Sequence, residues 1–145
     1  MRSGTEATAQ IAAFAAAVRA SAADSARLER TAAIKEYTLA KLKEDLPKLE
    51  VISAGDAPHI CAVTLPGYKS EVVVRVLGDR GVCVSSGSAC HRGKPSHVFA
   101  AMNLPKPWLD GALRLSFSPE STREEADALA AALRDAAGSL FTTLS

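Results

Sequence analysis

Apolar positions in residues 6–46 recur at helical spacing. Ile11, Phe14, Ala15, Val18 and Ala22 share one face, and Leu39, Leu42 and Leu46 continue the stripe. The pattern predicts one long helix, or two in line, ended by Pro47. A helical run of about 40 residues is long for a domain of this size and usually bridges to another domain or a partner chain. The period then changes. Cys61, Val63 and Leu65 alternate with Ala62 and Thr64, which predicts a strand over 60–65 closed by Pro66-Gly67. Val72, Val73, Val76 and Leu77 return to helical spacing over 70–77, against the strand preference of the valines.

Gly78 and Gly81 bracket a turn, and Val82-Cys83-Val84 reads as a short buried strand. A polar loop of small residues follows, Ser85 to Lys94. Pro95 suits the first turn of a short helix carrying Val98, Phe99 and Met102. Leu113, Leu115 and Phe117 alternate with Ala112, Arg114 and Ser116, a strand with Arg114 on the face away from the large apolar residues. Pro119 to Thr122 make a turn. Thr122 and Glu125 have capping-box spacing for a last helix whose apolar face is Ala126, Leu129, Leu133, Ala136 and Leu140. The expected class is α+β: a small mixed or antiparallel sheet flanked by helices, with a long N-terminal helix and β-α-β units in the middle.

Bulk composition narrows the options little. The 145 residues fit one domain spanning 1–145, with 48% hydrophobic and 23% charged residues. The net charge is +1, with Lys and Arg scattered, so neither nucleic acid nor an anionic membrane is expected as a partner. The chain does not open on a basic segment followed by an apolar one, and the alanine-rich stretch Ile11 to Ala23 is too short and polar to span a bilayer. A cytoplasmic location is expected. The three cysteines are then free thiols, and no C-x-x-C or zinc-type spacing occurs.

The candidate chemistry centres on Cys90. A cysteine within Ser85-Ser86-Gly87-Ser88-Ala89-Cys90-His91-Arg92-Gly93-Lys94 has little to pack against. Neighbouring Arg92 and Lys94 would favour its thiolate, and Gly87 and Gly93 give the loop freedom. On these grounds alone, an incidental loop cysteine remains the alternative. By their alternation in apolar runs, Cys61 and Cys83 read as inert core residues.

The string Val84-Ser85-Ser86-Gly87-Ser88-Ala89-Cys90, followed by Pro95-Ser96-His97-Val98, closely resembles the active-site loop of NifS/IscS-type cysteine desulfurases of the long-loop class. These are fold-type I, pyridoxal-phosphate (PLP) enzymes of the class V aminotransferase group, and the chain is similar to their C-terminal small domain over nearly its whole length. The resemblance makes Cys90 the sulfur-accepting nucleophile. Arg2-Ser3-Gly4-Thr5 resembles the family's Arg-(Ser/Ala)-Gly-Thr turn, which assigns Thr5 to the PLP phosphate of a neighbouring subunit. By position alone, Thr5 is simply a helix start. Ala112 to Phe117 is similar to the strand whose arginine holds the substrate α-carboxylate, which assigns that role to Arg114. A planar guanidinium suits a carboxylate. By position alone it is a surface arginine on an edge strand. Ser118-Pro119 stands where the family usually has glycine.

The implied reaction takes sulfur from L-cysteine, with PLP as electron sink, leaving L-alanine and a persulfide on Cys90 for a scaffold or sulfur-acceptor protein. The large PLP domain is not expected within these residues. No lysine stands in a Ser/Thr-x-His-Lys context, and the long helical region of residues 1–47 reads as the link to that domain. The chain would then act with a PLP-domain half or a homodimer partner. The competing expectation is a standalone sulfur-carrier or interaction domain, or a vestigial fragment, without PLP chemistry.

Overall fold

The computed structural model describes residues 4–86 and 97–140. Six helices and three strands follow in the order α1 (Thr8–Ala23), α2 (Arg27–Asp45), β1 (Glu50–Ser53), β2 (Ile60–Thr64), α3 (Ser70–Gly78), α4 (His97–Ala101), α5 (Lys106–Asp110), β3 (Ala112–Ser116) and α6 (Arg123–Ser139). The expected α+β class holds, and the sheet is antiparallel throughout in the order β1-β2-β3.

Of the two expectations for the N-terminal helical run, the structure has two helices, separated at Asp24–Ala26. They differ in what they pack against. The inward side of α2 carries Thr31, Ile34, Lys35, Thr38 and Leu42, a helical stripe laid on the sheet. No residue of α1 is buried, and Ile11, Phe14 and Val18 are exposed.

The apolar face of the sheet is built by alternation. Cys61 pairs with Leu115 and Val63 with Leu113, and all four are buried. Leu42, Val73, Leu77, Leu129 and Leu133 from α2, α3 and α6 close the core over them. Alanines at 126, 130, 132 and 136 on α6 are buried too, and their small side chains allow close approach of the backbone. Tyr37 Oη donates to Asp127 at 2.8 Å, tying α2 to α6, and Tyr68 Oη donates to the Ala137 carbonyl at 2.9 Å. The capping box appears as expected: the Glu125 N–H donates to Thr122 Oγ1 at 3.3 Å, and the Thr122 N–H to Glu125 Oε2 at 3.0 Å.

Two sequence expectations are corrected. Among the described residues there is no β-α-β unit, because β2 and β3 are adjacent and antiparallel although α3, α4 and α5 lie between them in the chain. A parallel pair would need its crossover to return to the same end of the sheet. The buried strand expected at 82–84 is absent as well. That segment runs outside β3 and pairs through Ser85 alone, so Val82 and Val84 turn toward the core while Cys83 is exposed. Two short elements carried no sequence signal strong enough to read. One is β1, whose four residues have a bulge between Val51 and Ser53; the other is the five-residue α5.

The turn after β2 behaves as Pro66-Gly67 dictates. Tyr68 N–H donates to the Leu65 carbonyl at 3.2 Å, and Gly67 takes φ +89°, the left-handed value that a type II turn requires. Gly111 is needed for a different reason: a Cβ there would collide with the Leu65 backbone carbonyl.

Candidate active site

Arg114 lies in the middle of β3, on the side opposite Leu113 and Leu115. Its cross-strand neighbours are small. Ala62 faces it from β2 and Ser85 from the other side, and Ser53 extends the same row beyond Ala62. A row of Ser, Ala and Ser around one arginine leaves room above the sheet that larger side chains would fill.

Ser85 and Arg114 exchange two backbone hydrogen bonds, Arg114 N–H to Ser85 O at 2.7 Å and Ser85 N–H to Arg114 O at 3.2 Å. Arg114 Nη2 also donates to Ser85 Oγ at 3.3 Å. The Arg114 Nε is buried and has no partner among the described residues. A buried guanidinium donor left unpaired costs free energy unless an acceptor reaches it. No carboxylate pairs with Arg114 among the described residues, whereas Arg30, Arg80 and Arg134 each pair with an aspartate.

Thr5 is exposed in the segment ahead of α1. That helix begins at Thr8 and has Ala7 at its N-cap, so Thr5 does not cap it. Cys90 lies outside the described residues. Of the three residues expected at a site, Arg114 is therefore the one whose surroundings are defined, and Ser85, five positions before Cys90, is its partner. No local pattern signals that pairing, which joins positions 29 apart.

Neither described cysteine makes a second centre. Cys61 is buried, and burial pushes its thiol up to about 11, so it is neutral at ordinary pH. Cys83 is exposed rather than buried, which corrects its reading as a core residue. It borders a cavity of about 360 Å³ between α2, α6 and the 81–84 segment, lined by Ile34, Val84, Phe117 and Glu125 among others. Leu115 and Phe117 also line this cavity, which puts it on the face of β3 away from Arg114. The Thr122 and Glu125 groups at its rim are already joined in the capping box.

The lysines bear on the cofactor. Lys35 is buried and donates to the carbonyls of Ala54, Gly55 and Ala57 at 2.8, 3.1 and 2.8 Å. Those three bonds use every donor of the ammonium, so Lys35 cannot serve as a reactive amine. Lys41 pairs with Asp45 and Glu44, and Lys69 with Asp110. Lys35, Lys41 and Lys69 are therefore all engaged by acceptors, while Arg114 has no carboxylate partner among the described residues. No three His, Cys, Asp or Glu side chains among the described residues converge on a metal position. No helix among them is long and apolar enough to cross a membrane.

The described residues thus form an antiparallel three-stranded sheet backed by α2, α3 and α6, with Arg114 on the opposite face and no carboxylate partner for it among them. The aminotransferase class-V family model matches residues 1–129, and the chain belongs to that family. It is 38% identical over 138 residues to a NifS/IcsS protein homolog of Lactobacillus delbrueckii subsp. bulgaricus, covering 91% of this chain and 36% of that protein. It is 40% identical over 76 residues to a cysteine desulfurase of Azospirillum brasilense, covering 51% of this chain and 19% of the relative. Among solved structures, a NifS-like protein from Rickettsia africae aligns with TM-score 0.80 at 24% identity, over 94% of this chain and 36% of that one. The chain thus spans little more than a third of the length of the first of these relatives.

Proposed function

We propose that this chain forms the small domain of a PLP-dependent cysteine desulfurase, with Cys90 receiving the sulfur, Arg114 holding the α-carboxylate of L-cysteine and Thr5 reaching the cofactor phosphate. The observation that carries the reading is Arg114: a guanidinium on a small-residue sheet face, with a buried Nε and no acidic partner among the described residues. A carboxylate is the natural complement of such a donor set. The relatives named cysteine desulfurase or NifS support the substrate.

When bound, PLP supplies an electron sink adjacent to the substrate carbon. The work of this chain's residues is then positional and nucleophilic. Arg114 fixes the amino acid by its carboxylate. The Cys90 thiolate attacks the substrate sulfur, a sulfur–sulfur bond forms, and the carbon–sulfur bond breaks. The carbon keeps the bonding pair and takes up a proton, so that L-alanine leaves and Cys90 holds a persulfide for a sulfur-acceptor protein. The remaining apparatus, including the lysine that carries PLP, belongs to a large domain. The exposed apolar residues Ile11, Phe14 and Val18 on α1 support a linking role for residues 1–47 toward that domain. A dimer would let Thr5 act across subunits.

The test is persulfide formation. The chain is combined with a class V PLP domain and given L-cysteine, and the mass of the Cys90 peptide is measured. A gain of one sulfur atom on that peptide, lost in Cys90→Ala, is the expected result. An unmodified Cys90 in a mixture that still releases alanine would overturn the assignment.

A further inference from the structure

Among the described residues, the Arg114 side chain has a hydrogen-bond partner on one side only. The bridge to Ser85 exchanges both backbone hydrogen bonds, so the two side chains stand on the same face of the sheet as direct neighbours. Ser85 Oγ accepts from one terminal nitrogen of the guanidinium, Nη2, at 3.3 Å. On the other side Ala62 has no polar side-chain atom to offer the guanidinium. A guanidinium carries five donors in a fixed plane, so one anchored corner sets where the others point.

We propose that Ser85 is a positioning residue for Arg114, its hydroxyl fixing the plane of the guanidinium so that the free donors meet the substrate carboxylate. This rests on the carboxylate role of Arg114 proposed above. In the sequence Ser85 stands five positions before Cys90. The backbone bridge does not need the hydroxyl, so Ser85→Ala removes the anchor and leaves both bridge hydrogen bonds in place.

The test uses the 145-residue chain and the Arg114 side-chain Nε–H resonance, assigned by its loss in Arg114→Lys. Sodium acetate is titrated at constant ionic strength as the carboxylate probe. In the native chain the resonance is expected to be distinct from those of the exposed arginines, to exchange slowly and to shift with acetate. In Ser85→Ala it should move to the position of a free arginine. The acetate midpoint should rise about three- to tenfold, while the Leu113 and Leu115 amides stay in place. Ser85→Thr, which keeps a hydroxyl, should restore both. An unchanged resonance and midpoint in Ser85→Ala would overturn the positioning role. If the native resonance responds to Ser85→Ala but not to acetate, the carboxylate role of Arg114 fails. Ser85 is then a structural contact only.

Discussion

The Lys35 ammonium donates to the Ala57 carbonyl at 2.8 Å, and with the carbonyls of Ala54 and Gly55 it gathers the turn between β1 and β2 onto α2. Hydrogen bonds from a charged donor are each worth more than neutral ones, and a buried ammonium is tolerated only when its donors are satisfied. Lys35→Met keeps the apolar stem and removes all three bonds. It should lower stability by about 1–3 kcal/mol, seen as a lower urea midpoint with an unchanged slope. Amide exchange should quicken first over residues 54–57.

The Cys61 thiol titrates at about 11, raised by burial from its ordinary 9.0. Because the folded state holds its proton to higher pH than the unfolded chain does, Cys61 contributes fully to stability below about pH 9. That contribution is lost as pH rises through about 11. Unfolding free energy should therefore fall by roughly 3 kcal/mol across that window. Cys61→Ala should flatten this part of the pH–stability curve, whatever it does to stability at pH 7. In the native chain, iodoacetamide at pH 8 should modify Cys83 and spare Cys61, a difference that peptide mass spectrometry reads directly.

At the start of α6, the reciprocal bonds of Thr122 and Glu125 satisfy two backbone donors that a helix otherwise leaves open. Thr122→Ala should cost about 1 kcal/mol, and Thr122→Ser much less. Thermal melts of the three proteins side by side would check the order.

Gly111 takes φ −94°, so its backbone conformation suits any residue, and the constraint there is space. Because a Cβ would meet the Leu65 carbonyl, Gly111→Ala should cost about 1–3 kcal/mol. It should also disturb the contact in which Thr64 Oγ1 donates to the Trp108 carbonyl at 2.9 Å. Trp108 fluorescence would report that change. Stability equal to that of the native chain would show that β3 and the turn after β2 can move apart.

Phe14→Glu on α1 should leave stability within about 0.5 kcal/mol of the native value, because that side chain is 73% exposed and packs on nothing buried. A large loss in a urea titration would mean that α1 is part of this core.

The features legible in the sequence are those carried by near neighbours in the chain. Alternation at Leu113 and Leu115 placed β3 and turned Arg114 to the opposite face, because successive residues of a strand must point to opposite sides. Thr122 and Glu125 declared the start of α6, since their bonds span three residues and need nothing else. The apolar stripe through Leu39, Leu42 and Leu46, and the option of two helices in line, were legible in the same way, though not that only α2 would be buried. The loop string around Cys90 pointed to a chemistry through its resemblance alone, and Cys90 lies outside the described residues.

Tertiary structure decided whatever depends on partners distant in the chain. Val82-Cys83-Val84 has the composition of a buried strand. Its position outside β3, paired through Ser85 alone, exposes Cys83, and no local pattern contains that information. Nothing in the sequence around Lys35 shows that the turn at 54–57 supplies its acceptors. The same holds for Arg114. Its residue type and face could be read from the chain, but its anchoring by Ser85 and its unpaired, buried Nε arise only when segments 29 positions apart lie side by side. Side-chain periodicity is a property of one segment. Whether a donor finds an acceptor is a property of how segments meet.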